Sequence, residues 1–198
     1  MPIENYIRIR SAKELAFHKK ESSNGIYGWF LPVPTNRMFS DIAAVFEYFK
    51  GFNRIYSSED VEGKRFSVRV TGRASEVGPG DLDLDEVPLY LQTLKFLPVL
   101  APPLYVGYAY RQGGISERIK EHLRDGAFKS KLKQALSDAD LSTRVSPVDF
   151  TVIYFRYTDY CFDCGYSFNP QQEELVLRAL ERTIFRSYFP LFNSKEGN

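Results

Sequence analysis

Residues 24–30 of the chain read NGIYGWF, a stretch without charge, cysteine or histidine. Its aromatic and β-branched side chains, followed by Pro32 and Pro34, predict a strand over residues 25–33. Tyr27 in this strand has two interpretations, a buried core aromatic or a hydroxyl that takes part in chemistry. Partners elsewhere in the chain have to decide between them.

Length and composition are those of an ordinary globular domain. A chain of 198 residues suffices for one domain with its own core, and 43% hydrophobic and 26% charged residues are typical values. The formal net charge is only +1. Any attraction to nucleic-acid phosphate therefore has to come from local basic patches.

The lack of a recognisable targeting signal and the use of only two cysteines lead us to expect a cytoplasmic protein. The N-terminal segment 1–20 mixes charges throughout and has no apolar signal region. The most apolar segment, 87–110, is interrupted by Lys95 and by prolines, so a membrane span is not expected. Cys161 and Cys164 do not make a disulfide framework. Their spacing is that of a zinc knuckle, but no second pair completes the four ligands of a closed site.

Further elements follow the first strand in an α+β order. Strands are predicted over residues 103–109 and 149–157, and helices over 116–126, 128–137 and 171–188. Ser116 is the expected N-cap of the first of these helices, and Gly126 is its expected end.

The segment between the first two strands predicts elements of its own. A helix is expected over residues 39–50, an alternating strand over 64–73 and an acidic loop over 75–86. One face of this strand is basic and carries Arg65, Arg69 and Arg73. That face either contacts nucleic-acid phosphates or is a solvated edge whose charges prevent aggregation.

Residues of these elements resemble the motifs of the GIY-YIG nuclease family, in the family's order. Gly25-Ile26-Tyr27 matches the first triad, and Tyr105-Val106-Gly107 is similar to the second, with valine for isoleucine. The other matches lie in the predicted helices and after the last one: Arg118, His122, Glu181 and Asn193. The resemblance covers residues 24–33 and 103–195.

This resemblance implies a single domain over residues 1–198, with a small three-stranded antiparallel sheet flanked by helices. It also implies phosphodiester cleavage assisted by one divalent ion, Mg²⁺ or Mn²⁺. Residues 36–100 depart from the family pattern, in which a short connection joins the two triads. We therefore expect them to form an inserted subdomain between the first two strands, and a candidate DNA-contacting one.

The residues that match the family suit phosphodiester hydrolysis. Glu181 is the implied metal ligand, since Mg²⁺ prefers carboxylate oxygen, and Arg118 offers a planar fork to phosphate. His122 lies four residues after Arg118, on the same helix face, where it either contacts phosphate or helps to activate Tyr27. Tyr27 is the implied general base or water-orienting hydroxyl. An ordinary tyrosine pKa of about 10 means that it needs help from a partner or the metal.

Other polar residues complete the expected site. The resemblance implies that Tyr105 orients water or phosphate and that Asn193 fixes another group. Tyr108 stands where many relatives have lysine, histidine or glutamine after the second triad, and Arg111 is the candidate to compensate. A second candidate basic patch for nucleic acid lies in helix 128–137 and consists of Lys129, Lys131 and Lys133.

Each matched residue also has a purely structural interpretation. Tyr27 and Tyr105 are then core aromatics of a sheet, and Arg118 belongs to a solvated helix face. Glu181 in that case pairs with Arg178 or Arg182, as helix glutamates commonly do.

The expected function is metal-dependent endonucleolytic cleavage, and double-stranded DNA is the first expected substrate. No attached targeting module is evident, which favours a stand-alone enzyme of the restriction or defence type. Cutting both strands then requires a homodimer or sequential nicking. Two alternatives remain, a catalytically inactive nucleic-acid-binding module on the same scaffold and a nuclease that acts on RNA or structured DNA.

Overall fold

The computed structural model describes residues 2–18, 20–32, 48, 103–110, 113–124, 126–138, 140–167, 169–188 and 190. Four strands lie in these ranges: β1 (Ile7–Ser11), β2 (Gly25–Phe30), β3 (Tyr105–Ala109) and β4 (Thr151–Arg156). The α-helices are α1 (Gly114–Leu123), α2 (Ala127–Asp138), α3 (Tyr157–Asp163) and α4 (Pro170–Tyr188). Short helical turns occupy Ile3–Tyr6, Glu14–His18 and Pro147–Asp149. The α+β class predicted from the sequence is confirmed.

The strands form one antiparallel sheet in the order β1-β4-β2-β3. β2 is central, so that Tyr27 lies opposite Gly107 of β3 on one side and opposite Tyr154 of β4 on the other. The strands that carry the two triads are therefore hydrogen-bonded neighbours, despite the long segment between them.

The sheet has one strand more than the three that were expected. Ile7 and Ile9 alternate with Arg8 and Arg10 in β1, which pairs with β4 through Ile9 opposite Ile153. This alternation is itself a strand pattern. The arginines made the segment look like a mixed-charge terminus, and the sequence analysis did not predict a strand there.

Alternation along β2 divides the interior into two cores, one on each face of the sheet. Tyr27 and Trp29 belong to the first core, which α1 and α2 cover with Ile115, Ile119, Leu132 and Leu136. Ile26 belongs to the second core, which α3 and α4 cover with Tyr157, Cys161 and Leu177. Helices on both faces explain why β2 is buried along nearly its whole length.

The start of α1 packs closely against residues 21–23. Gly113 and Gly114 have positive φ, and a Cβ on Gly114 would lie 2.3 Å from the Ser22 carbonyl. The predicted N-cap at Ser116 is wrong, because the helix starts earlier, with Gly113 as its N-cap. Ser116 is buried, and its Oγ accepts a hydrogen bond of 2.6 Å from the Glu21 N–H. The serine thus joins α1 to the chain segment that leads into β2.

Most of the segment between β2 and β3 lies outside the described residues. This holds for the predicted helix 39–50 apart from Tyr48, for strand 64–73 and for the acidic loop 75–86. Tyr48 is helical and belongs to the first core, and its hydroxyl donates to the Pro32 carbonyl. Within the described part of the chain, no helix has the length and apolar character needed to cross a membrane.

Candidate active site

A cleft of about 190 Å³ opens at the edge of the sheet formed by β3, between α1 and α4. In the described part of the chain, β3 pairs only with β2, so its other edge faces this cleft. The strand contributes Tyr105, Tyr108 and Ala109, and Tyr110 follows directly after it. α1 contributes Gly114, Glu117, Arg118 and Glu121, and α4 contributes Glu174, Arg178 and Glu181.

Tyr27 lies one layer behind the wall of this cleft. The side chain is only 1% exposed, and Tyr105 rather than Tyr27 lines the opening. The Tyr27 hydroxyl lies 2.7 Å from Nε2 of His122. Arg118 lies close enough to this hydroxyl to lower the pKa of Tyr27 against the larger effect of burial, which raises it. In the tautomer of His122 with its proton on Nδ1, the Tyr27 O–H donates to Nε2.

Tyr105 stands between Tyr27 and the cleft. The two tyrosine rings lie 6.3 Å apart between centroids, and the Tyr105 hydroxyl lies near both Tyr27 and Arg118. Burial and the nearby Glu181 carboxylate raise the pKa of Tyr105, and Arg118 opposes that rise. Because the same carboxylate also raises the pKa of Tyr27, Glu181 lies within electrostatic reach of both hydroxyls.

His122 is held neutral near neutral pH. Burial, and then the positive charge of Arg118, lower the pKa of its imidazole to about 4. The ring lies 4.4 Å from Phe128, 5.1 Å from Tyr105 and 5.9 Å from Trp29 between centroids. A neutral imidazole in this aromatic pocket can accept a hydrogen bond from the Tyr27 hydroxyl.

The absence of a side chain at Gly107 leaves room for the side chains of Tyr27 and Tyr105. A Cβ at this position would lie 2.6 Å from the Tyr27 hydroxyl oxygen and 2.8 Å from a ring carbon of Tyr105. Real Cβ atoms do not approach other atoms this closely, so any larger residue at position 107 would force the Tyr27 side chain to move.

Glu181 differs from the other glutamates of the cleft. Glu121 pairs with Arg118 at 2.7 Å, Glu174 pairs with Arg178 at 2.8 Å, and Glu117 pairs with a further arginine at 3.0 Å. Glu181 is half-buried and has no hydrogen bond or ion pair with any described residue. The predicted pairing of Glu181 with Arg178 is thus not formed, since Glu174 and Tyr108 hold that arginine.

These properties of Glu181 fit a ligand of a hard cation. Burial raises the pKa of its carboxyl, while Arg118, Arg178 and Arg182 lower it. No group of three or more histidine, cysteine or acidic side chains that could hold a metal occurs in the described ranges. Mg²⁺ does not need such a cage, because it commonly keeps several waters and binds one or two carboxylates together with substrate phosphates. One unpaired carboxylate at a phosphate-sized cleft meets that requirement.

Two further residues of the cleft, Arg178 and Tyr108, were not predicted from the sequence as site residues. Arg178 lies one helical turn before Glu181, and its Nε donates to the Tyr108 hydroxyl at 2.9 Å. The spacing of three residues on a helix was the available signal, because it places Arg178 on the same face as Glu181.

The remaining candidates lie away from the cleft or outside the described residues. Lys129, Lys131 and Lys133 are on α2, where Lys129 and Lys133 lie four residues apart on one face and Lys131 lies two positions from each. Cys161 is buried and Cys164 is half-buried, and both are free thiols. Arg65, Arg69, Arg73, Arg111 and Asn193 lie outside the described residues.

Comparisons with models of known protein families, with curated proteins and with solved structures found no match to this chain. The arrangement of the cleft therefore carries the functional argument.

Proposed function

We propose that this chain is a divalent-metal-dependent endonuclease of the GIY-YIG type, which hydrolyses phosphodiester bonds in double-stranded DNA. One observation carries the proposal. Tyr105, Arg118 and Glu181 line a single cleft, with the hydrogen-bonded pair of Tyr27 and His122 directly behind Tyr105. These residues come from β2, β3, α1 and α4, and a solvated helix face or a frayed terminus would not bring them together.

The α1 side of the cleft handles the proton of the attacking water. Tyr105 presents the hydroxyl that orients this water, and Tyr27 is hydrogen-bonded behind it. Neutral His122 accepts a hydrogen bond from the Tyr27 O–H and so orients the tyrosine pair, and because burial raises both tyrosine pKa values the hydroxyls act as hydrogen-bonding groups near neutral pH. Arg118 lies near both hydroxyls and lines the cleft, where it stabilises negative charge on oxygen and binds a phosphate oxygen.

The α4 side of the cleft handles the charge of the phosphate. Glu181 would hold Mg²⁺ or Mn²⁺, and the ion would supply stabilisation of charge on the phosphate and the leaving oxygen. Arg118 and Arg178 both lower the pKa of the Glu181 carboxyl, which keeps the carboxylate ionised and able to bind a cation.

The proposed GIY-YIG unit consists of β2, β3, β4, α1 and α4. β1 extends its sheet at the edge opposite the cleft. In this proposal residues 36–100 are a subdomain inserted between β2 and β3 that contacts DNA through Arg65, Arg69 and Arg73, and Asn193 completes the site. A homodimer or two successive nicks would then cut both strands, as in a stand-alone restriction or defence enzyme.

The proposal is tested by incubating the purified chain with plasmid DNA, and separately with structured RNA, in the presence of Mg²⁺, Mn²⁺ or EDTA. We expect metal-dependent cleavage of the plasmid, and loss of cleavage in Glu181→Gln. Glu117→Gln is the matched control, since it removes the same charge from the same cleft at a carboxylate that is already paired. Binding of DNA without cleavage in either metal contradicts the proposal and supports an inactive binding module. Cleavage of RNA alone moves the substrate to RNA.

A further inference from the structure

Arg178 is fixed in the cleft wall by two side chains that are not part of the tyrosine–histidine group. Its Nε donates to the Tyr108 hydroxyl at 2.9 Å, and one Nη donates to Glu174 at 2.8 Å. Tyr108 itself packs against the second core, and Glu174 lies one turn earlier on α4. The guanidinium is therefore held in place by groups on two different elements, unlike an arginine that moves freely in solvent.

These two contacts leave much of the guanidinium unused. A guanidinium has five N–H donors, and the contacts with Tyr108 and Glu174 engage only two of them. The side chain is 56% exposed and lines the cleft. A positioned guanidinium with spare donors at an open cleft is a binding group for an oxyanion, and phosphate matches its planar fork.

Arg118 and Arg178 lie on different sides of the edge strand. Tyr105 and Tyr108 are an odd number of positions apart in β3, so their side chains leave the strand on opposite faces. Arg118 contacts Tyr105 and the proton-handling group, whereas Arg178 contacts Tyr108. Glu181 lies within reach of both charges. The cleft therefore holds two separate anion-binding groups, and the Glu181 carboxylate lies within electrostatic reach of both.

We propose that Arg178 binds a second backbone phosphate of the nucleic acid, next to the phosphate that is cleaved, and that Tyr108 and Glu174 position it. Arg118 serves the reacting phosphate, because it contacts the hydroxyls that act on water. Arg178 binds the adjacent phosphate of the same nucleic-acid strand and so determines where the sugar–phosphate backbone lies in the cleft. This inference rests on the proposed function.

Binding measured without cleavage tests the role of Arg178. A labelled DNA fragment that the wild type cleaves is titrated with protein in EDTA over a series of salt concentrations. For Arg178→Ala we expect roughly tenfold weaker binding and a salt slope smaller by about 1, as for the loss of one phosphate contact. In cleavage assays KM should rise to a similar extent, since the phosphate contact is made in the ground state. Arg186→Ala is the matched control, because it removes the same charge from an exposed position of α4 outside the cleft.

Two further variants separate positioning from charge. Tyr108→Phe keeps the ring in the second core and removes only the hydroxyl, so we expect roughly threefold weaker binding. Arg178→Lys keeps the charge but lacks the fork, and should restore part of the salt slope and little of the affinity.

DNA with single neutral methylphosphonate linkages then locates the contact. A neutral linkage at the phosphate beside the cleavage point should weaken DNA binding by the wild type and leave DNA binding by Arg178→Ala unchanged.

Some results would overturn the inference. These are equal binding by Arg178→Ala and Arg186→Ala, or a mapped contact at the cleaved linkage itself. Failure of the inference is distinguishable from failure of the proposed function. A wild type that cleaves DNA while Arg178→Ala behaves as the control contradicts only the inference. A wild type that binds DNA but cleaves none in Mg²⁺ or Mn²⁺ contradicts the proposed function, and one that binds no nucleic acid contradicts both.

Discussion

The two walls of the cleft are built from different chemistry. The α1 wall is backed by a buried aromatic group, in which the Tyr27 hydroxyl contacts His122 and the rings of Tyr27, Tyr105 and His122 pack together near Arg118. The α4 wall carries only charged side chains into the cleft, with Arg178 paired to Glu174 and with Glu181 unpaired among the described residues. Proton transfer needs hydroxyls and an imidazole held at fixed distances, whereas cation and phosphate binding needs charges that remain open to solvent.

This difference predicts two kinds of variant behaviour. Changes in the α1 wall should alter stability and pH dependence together with activity, because its groups are buried and depend on one another. Changes in the α4 wall should alter metal or nucleic-acid binding and leave the fold nearly unaffected, because its groups are partly solvated.

The largest effect is expected on the α4 wall at Glu181. Glu181→Gln removes the one carboxylate of the cleft that is unpaired among the described residues, and we expect cleavage to fall by roughly 10³-fold, which corresponds to several kcal/mol of lost charge stabilisation. The midpoint of thermal unfolding should stay close to that of wild type. Titration of the two proteins with Mn²⁺, followed by its paramagnetic signal, measures the ligand role directly. Equal Mn²⁺ binding by wild type and variant contradicts this role.

His122 in the α1 wall should couple stability to pH. The folded pKa of about 4 lies below the unfolded value of about 6.5, so the unfolded state binds more protons between these two pH values. The contribution of His122 to folding is therefore fully present above pH 6.5 and is lost as the pH falls toward 4. The loss is roughly 3 kcal/mol, from a shift of about 2.5 pKa units.

Urea unfolding of wild type and His122→Gln at pH 7 and pH 4.5 measures this coupling. The difference between the two pH values should shrink in the variant. His18→Gln is the control, because His18 is exposed and is the only other histidine in the chain. A variant that loses as much stability on acidification as the wild type would show that folding does not lower the pKa of His122.

The sequence predicted the strands of the two triads, β4 and the three longer helices because their periodicity and breakers are strong. It also grouped Tyr27, Tyr105, Arg118, His122 and Glu181 through a resemblance. The structure places Tyr105, Arg118 and Glu181 in one cleft and the pair of Tyr27 and His122 behind it. It did not predict that Tyr105 stands in front of Tyr27, since period-2 alternation gives the face of a strand but not the depth of a side chain. It also missed the pair of Arg178 and Tyr108, which depends on how α4 packs on β3.

The order of the two tyrosines in the α1 wall can be tested by removing each hydroxyl. Tyr105→Phe and Tyr27→Phe should each lower kcat by roughly 10²-fold, the scale of a lost proton-transfer group. The double variant should be little worse than either one, because the hydroxyls act as one chain. Tyr27→Phe should also cost about 1–3 kcal/mol of stability, since it leaves buried His122 without its hydrogen-bond donor. Normal activity in Tyr27→Phe, with Tyr105→Phe inactive, would return Tyr27 to the role of a core aromatic.

The smallest effect is expected at Gly107, which carries no functional group. In Gly107→Ala the new Cβ would lie 2.6 Å from the Tyr27 hydroxyl oxygen, so the tyrosine has to move away from His122. We expect a loss of about 1–3 kcal/mol in the free energy of unfolding, as for other overpacked cores. Gly126→Ala is the matched control, because a Cβ there meets no atom within 4 Å. Combining Gly107→Ala with Tyr27→Phe removes the closest contact, and should recover part of the stability but none of the activity. Recovery of both would mean that the α1 wall needs only the shape of the Tyr27 ring, and that its hydroxyl takes no part in the chemistry.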